Sequence, residues 1–181
     1  MKYFGIRELV PCVDGHCKDG RCGYDESTIV KVPSEVIMNA IALVENVLDP
    51  AREKLGMPIK VTSGYRCPLK NKAVGGVENS QHLKGEAADI SVKSEPTPER
   101  EESQACLSYP EREGGRRSQK LKVKSDLDEL ASIIVRQGKF DQLIIYPTFL
   151  HVSYKRNGEN RHKVLKKTST GYAVISHREI C

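Results

Sequence analysis

With 181 residues, 38% of them hydrophobic and 29% charged, the chain can bury one real core, and its polarity argues for a soluble protein. No apolar run approaches the roughly 20 residues needed to cross a bilayer. The net charge of +5 would suit an anionic polymer such as a cell wall, but with only 6% aromatics there is no basic stripe interleaved with aromatic rings, so nucleic-acid binding is set aside.

The opening stretch MKYFGIRELVPC lacks the apolar segment of a secretory signal, so the chain is expected to be cytoplasmic when made. Cys12, Cys17 and Cys22 follow at even spacing with His16 among them. These are residue types for a soft-ligand zinc site, although the gaps differ from the two-residue gap of a zinc knuckle. The alternative is a glycine-rich surface loop, with disulfides if the protein works outside the cell. Cys67, Cys106 and Cys181 are scattered and decide nothing.

Residues 34–56 read as helix, with Ile37, Ile41, Val44 and Leu48 at three- and four-residue spacing, Ser34 as N-cap after Pro33, and Gly56 as the stop. Asp49-Pro50 restarts or kinks it, because proline removes a backbone donor. IKVTSGYR is a short strand broken at Gly64, and AADISV is a second strand. Residues 93–122 change character, with three prolines and little apolar periodicity. They read as a flexible insertion, accessory or lid.

SDLDELASIIVRQG is then a second helix, with Ser125 and Asp128 resembling a capping box, Leu127, Leu130 and Ile134 on its buried face, and Gly138 at its end. FDQLIIYP and FLHVSYK form two strands around a turn near Pro147, and GYAVISH forms a last, edge strand. The order of elements implies an α+β fold, a small antiparallel sheet with two main helices. Residues 1–155 form the main domain, with the cysteine-rich loop 12–22 and the insertion 93–122. Residues 156–181 form a C-terminal extension.

One stretch carries chemistry: SQHLKGEAADIS, residues 80–91. Side chains alternate along a strand, so Asp89 and Ser91 share one face while Ile90 and Val92 enter the core. The same alternation in LHVSY puts His151 and Ser153 on one face, opposite Leu150 and Val152. If the two strands pair, Asp89 and His151 stand side by side on the polar face of the sheet, and His82 can reach them from the turn at Gly85. Two imidazoles and a carboxylate form a three-ligand zinc set with a fourth position for water. The plainer alternative makes them ordinary surface residues.

SGYRCPLKNKAVGG, SQHLKGEAADI and LHVSY together resemble the zinc D-alanyl-D-alanine carboxypeptidase family, which includes phage L-alanyl-D-glutamate endolysins and vancomycin-resistance D,D-dipeptidases. The resemblance runs from about Tyr3 to Tyr154. It implies that His82, Asp89 and His151 bind Zn2+, that Ser80, and with it Ser153, supports them, and that Arg66 is placed near the substrate. It further implies hydrolysis of peptidoglycan stem peptides at D-amino-acid bonds, by a monomer acting at the cell wall or periplasm after release, as in phage or prophage lysis.

One departure stands out. Peptide-cleaving members carry a Glu or Asp shortly before the last histidine, where this chain reads YPTFLH, with Thr148 and Tyr146 in place of a carboxylate. Asp141 is the nearest upstream acid. Tyr146 and Glu86 are the remaining catalytic candidates, and Tyr146 is a poor base at an unperturbed pKa near 10. A non-catalytic, zinc-stabilised module that binds peptides or cell wall is the alternative to a peptidase.

Overall fold

The computed structural model describes residues 1–12, 32–92 and 114–180, with side chains in the last segment from Asp126 onward. His16, Cys17, Cys22, Cys106 and Cys181 lie outside the described residues, as does most of the 93–122 segment. Cys12 is buried in the core.

A short helix α1 (Ile6–Leu9) precedes α2 (Ser34–Leu43), which runs through a π-helical turn (Val44–Leu48) into α3 (Asp49–Leu55). Pro50 has no N–H to give the Asn46 carbonyl and its ring crowds that turn, and the ladder widens directly before it instead of breaking. The stop is as expected: Gly56 has φ 70°, where a Cβ would be strained. The N-terminus differs, because Ser34 is the first helical residue and Pro33 the cap, with no side-chain cap bond. Of the expected stripe Val44 and Leu48 are fully buried, but at its start the core-facing positions are displaced by one residue from Ile37 and Ile41. Val36, Ala40, Leu43 and Val47 are buried, whereas Ile37 and Ile41 are only half-buried.

Strand β1 (Ile59–Ser63), helix α4 (Pro68–Ala73), a 3-10 turn (Gln81–Lys84) and β2 (Ala87–Val92) follow. Helix α5 (Gly114–Gln137) begins within the segment expected to lack regular structure, so Ser125 lies inside the helix and not at its start. The early part, GGRRSQKLKVK, lacks an apolar stripe but, past its two glycines, is rich in good helix formers. Leu127, Leu130 and Ile134 are buried as expected, and Gly138, at φ 65°, follows the end.

The chain closes with β3 (Gln142–Ile145), β4 (Leu150–Ser153), β5 (Lys163–Lys167) and β6 (Tyr172–Val174). These strands and β1 and β2 make one six-stranded sheet in the order β1-β2-β4-β3-β5-β6, with β6 at one edge. All neighbours are antiparallel except β3 and β5, which run parallel. The fold is therefore α+β, as the order of elements implied. One face of the sheet packs on α5, which in turn packs on α3, through Ile90, Leu130, Ile134, Phe140, Leu143 and Leu150, all fully buried. Among the described residues no helix is long and apolar enough to cross a membrane.

Asp141, at the entry to β3, is fully buried and ties several segments together. It accepts hydrogen bonds from the backbone N–H of Arg161 at 3.0 Å, from the Arg161 guanidinium, and from Gln81 Nε2 at 3.0 Å, and it pairs with Lys155 Nζ at 3.3 Å. Burial pushes its carboxyl up, but the hydrogen bonds from Arg161, Gln81 and Lys155 more than reverse this and hold it down at about 2. A carboxyl depressed in the folded state stabilises above its unfolded pKa, near 3.8, and that stability is lost as pH falls towards 2. The drop corresponds to about 2 kcal/mol. Chemical denaturation of Asp141→Asn against wild type is expected to show a loss of about that size at pH 7, shrinking between pH 4 and pH 2. A loss that is constant across this window would place the effect elsewhere than in the charge.

Candidate metal centre

The polar face of the sheet carries the site. Strands β2 and β4 pair with Asp89 directly opposite His151, in the register that alternation required. Ile90 and Leu150, on the other face, are fully buried, so the core itself enforces that register.

His82 comes from the 3-10 turn, whose placement rests on two close backbone approaches. Gly85 ends the turn at φ 70°, and a Cβ built there would stand 2.4 Å from the Val36 carbonyl oxygen of α2. Gly64 passes so close to α1 that a Cβ would lie 2.1 Å from the Leu9 carbonyl oxygen. The Gly64 carbonyl in turn accepts a hydrogen bond from His82 Nδ1 at 2.7 Å. That bond places the His82 proton on Nδ1 and leaves the Nε2 lone pair facing the sheet.

Three donor atoms converge there. His151 Nδ1 lies 2.9 Å from Asp89 Oδ1, His82 Nε2 lies 3.3 Å from the same oxygen, and the two imidazole nitrogens are 3.1 Å apart. Two donors about 2.0–2.1 Å from a tetrahedral ion are separated by roughly 3.3–3.4 Å. The observed triangle is close to one face of such a tetrahedron. Lone pairs at this spacing repel one another unless a proton or a cation stands among them, so the donor set fits a metal ion. His82, Asp89 and His151 are the metal-ligand group found among the described residues.

The protonation states agree. Burial pushes His151 down, more than its bond to Asp89 pulls it up, which keeps the imidazole neutral and able to ligate. Burial pushes the Asp89 carboxyl up, but its close contacts with His151 and His82 overcome this and hold it well below the usual carboxylate range.

Asp89 divides its two oxygens. Oδ1 faces the imidazoles, while Oδ2 accepts from Arg66 Nη2 at 2.5 Å. Arg66 Nε also donates to Ser63 Oγ at 3.0 Å. A register irregularity in β1 at Thr62 makes this possible: it brings Ser63 opposite Asp89 and lets the Thr62 hydroxyl donate to the Asp89 carbonyl at 3.0 Å.

Above the centre lies a cleft of about 490 Å³, within the range of small-molecule sites. Arg66, Ser80, His82, Asp89, Tyr146 and His151 all line it. Ser153 does not; it is buried, with its hydroxyl accepting from the Gln142 N–H at 3.1 Å and donating to the Gln142 carbonyl. Glu86 lies off the cleft, its carbonyl accepting from the Tyr154 N–H. Tyr146 stacks on Phe149 at 4.3 Å and shares a hydrogen bond with Tyr172 Oη at 3.1 Å. Burial and that bond push its hydroxyl above the ordinary tyrosine value, which keeps it protonated. Asp141 does not reach the metal centre, because its oxygens are engaged by Arg161, Gln81 and Lys155.

Residues that sequence reasoning missed also line the cleft: Gln81, Gln142, Arg161 and Tyr172. Gln81 sits within the quoted motif and could have been flagged from that position. Arg161 comes from a connection with no periodic signal, and Tyr172 opens the edge strand β6, which is too short to show which residues face the cleft.

Two expectations follow from this geometry. Arg66→Ala removes the group that orients Asp89, and zinc affinity measured against a chromophoric chelator is expected to fall 10–100-fold. Gly64→Ala, which forces a Cβ onto the Leu9 carbonyl, is expected to lower both thermal stability and metal affinity by misplacing His82. Unchanged affinity in a folded Gly64→Ala protein would show that the carbonyl does not orient the imidazole.

A family model described as Peptidase M15 matches residues 11–126, more than half of the chain. The match takes in Arg66, Ser80, His82 and Asp89 and stops before His151, which the fold itself delivers to the site. No curated protein matches the chain. Peptidases of this family are metal-dependent, and the converging His, Asp and His provide a place for that metal. The chain belongs to the M15 metallopeptidase family, that of the zinc D-alanyl-D-alanine carboxypeptidases.

Proposed function

We propose that this protein is a zinc peptidase that hydrolyses peptidoglycan stem peptides at bonds to D-amino acids, as a D,D-carboxypeptidase or endopeptidase. The observation that carries the reading is the convergence of three neutral or anionic donors on one side of an open cleft. A zinc ion held by His82, Asp89 and His151 would polarise the scissile carbonyl and lower the pKa of water to about 7. Manufacture in the cytoplasm and action at the wall or periplasm after release, in the manner of a phage or prophage lysis enzyme, accord with this reading.

The chain's own residues supply positioning. Gly64 fixes the His82 tautomer through its carbonyl. Arg66 holds Asp89 with one oxygen turned to the imidazoles. Tyr146, protonated and facing the cleft, can donate a hydrogen bond to a carbonyl oxygen on which charge develops.

A second reading rests on a specific observation. Among the described residues Asp89 is the one carboxylate lining the cleft, and Thr148, near the expected place of a catalytic acid, is exposed. A zinc-stabilised module that binds peptides or cell wall without cleaving them would have this composition. General acid–base help is worth about 10²–10⁴-fold, so a peptidase lacking it would be slow and still measurable.

Purified peptidoglycan and short D-alanyl peptides, incubated with zinc-loaded protein, separate the two. Cleavage that requires zinc and disappears in folded His151→Ala is the expected result, and the products name the bond. Stoichiometric zinc binding with no cleavage would establish the binding module in its place.

A further inference from the structure

Arg161 lines the cleft from the connection between β4 and β5, outside the segment matched by the family. Its side chain is 51% exposed, yet it is held firmly on one edge. Nε donates to both oxygens of Asp141, at 3.0 and 3.1 Å, and Nη2 donates to Oδ2. The backbone N–H of Arg161 donates to the same carboxylate at 3.0 Å. Because Asp141 is fully buried and itself anchored by Gln81 and Lys155, the guanidinium has a rigid base. Immediately after it the chain turns through His162 at φ 50°, a conformation that few non-glycine residues adopt. Strained backbone of this kind is found where a side chain must be aimed.

The outer edge of that guanidinium is open. Nη1 of Arg161 donates to no group among the described residues. Arg66, the other guanidinium on the cleft, is already engaged with Asp89 and Ser63. Glu86, whose charge also acts on Arg161, does not line the cleft, and neither does Asp141.

We propose that Arg161 reads a carboxylate of the substrate peptide, presenting its outer edge to the cleft while Asp141 holds its inner edge. A planar guanidinium with two adjacent N–H groups free matches a carboxylate's two oxygens, which an ammonium does not. This deepens the peptidase reading and rests on it for the substrate class. A stem peptide carries two carboxylates of this chemistry: the α-carboxylate of its γ-linked D-glutamate and the C-terminal carboxylate.

Binding of L-alanyl-γ-D-glutamyl-L-lysyl-D-alanyl-D-alanine is measured by calorimetry on metal-free and zinc-loaded protein, with the peptide unmodified, amidated at the D-glutamate, or amidated at the C-terminus. Amidating one of the two positions is expected to weaken wild-type binding by about 10–100-fold, the range of a hydrogen bond to a charged group. The position that responds names the carboxylate. In Arg161→Ala that ratio should fall to about 1, and in Arg161→Lys, which keeps the charge and the pairing with Asp141, it should be intermediate. Should Arg161→Ala fail to fold, Arg161→Lys carries the comparison.

A wild-type ratio near 1 at both positions, or a ratio untouched by either substitution, overturns the assignment. Cleavage of the same peptides is followed in parallel. A carboxylate preference without hydrolysis leaves Arg161 assigned and removes the peptidase reading, whereas hydrolysis without a preference does the reverse.

Discussion

Everything in the site depends on the pairing of β2 with β4 in one register. Asp89 faces His151 across that pair, and Ile90 and Leu150 fill the core beneath them. A slip of a single residue would carry the two ligands into the apolar interior and bring Ile90 and Leu150 out to the cleft. Burial energy thus enforces the chemistry: with each large side chain worth about 1.5–3 kcal/mol when removed from water, the shifted pairing cannot compete. The metal centre needs no dedicated scaffold beyond the alternation of a strand.

The third ligand obeys a different constraint. His82 belongs to a one-turn 3-10 segment that alternation does not control. It is located by contact, with Gly64 pressed against α1, Gly85 against α2, and the Asn39 side chain donating to the Lys84 carbonyl at 2.9 Å. Two ligands are therefore set by periodicity and one by close backbone packing.

That division explains what could be read in advance. Asp89, His151, the strands AADISV and LHVS, and the apolar face of α5 follow local periodic rules, and each stands where the pattern placed it. Helix α2 was legible as an element but not in detail, because Ile37 and Ile41 only border the core that Val36 and Ala40 enter. The early turns of α5 carry propensity without an apolar stripe. Strand β5, with Val164 and Leu165 set among lysines, is too short to alternate visibly and forms by pairing parallel to β3. The buried Asp141, Arg161 and Gln81 group was illegible for a plainer reason: its members are 60 and 20 residues apart, and long-range ion pairing leaves no local trace.

The split use of Asp89 bears on which cations the centre prefers. Its negative charge is already matched by Arg66, and imidazoles bind a metal in their neutral form, so the three-residue set with its arginine would offer a metal little net charge. Calcium and magnesium depend on several anionic or carbonyl oxygens and gain little from a single shared carboxylate oxygen. Ions that form strong bonds to nitrogen lose much less. A metal held by this set would therefore be one that bonds strongly to nitrogen, because the guanidinium that steadies Asp89 leaves little negative charge for the hard divalent ions.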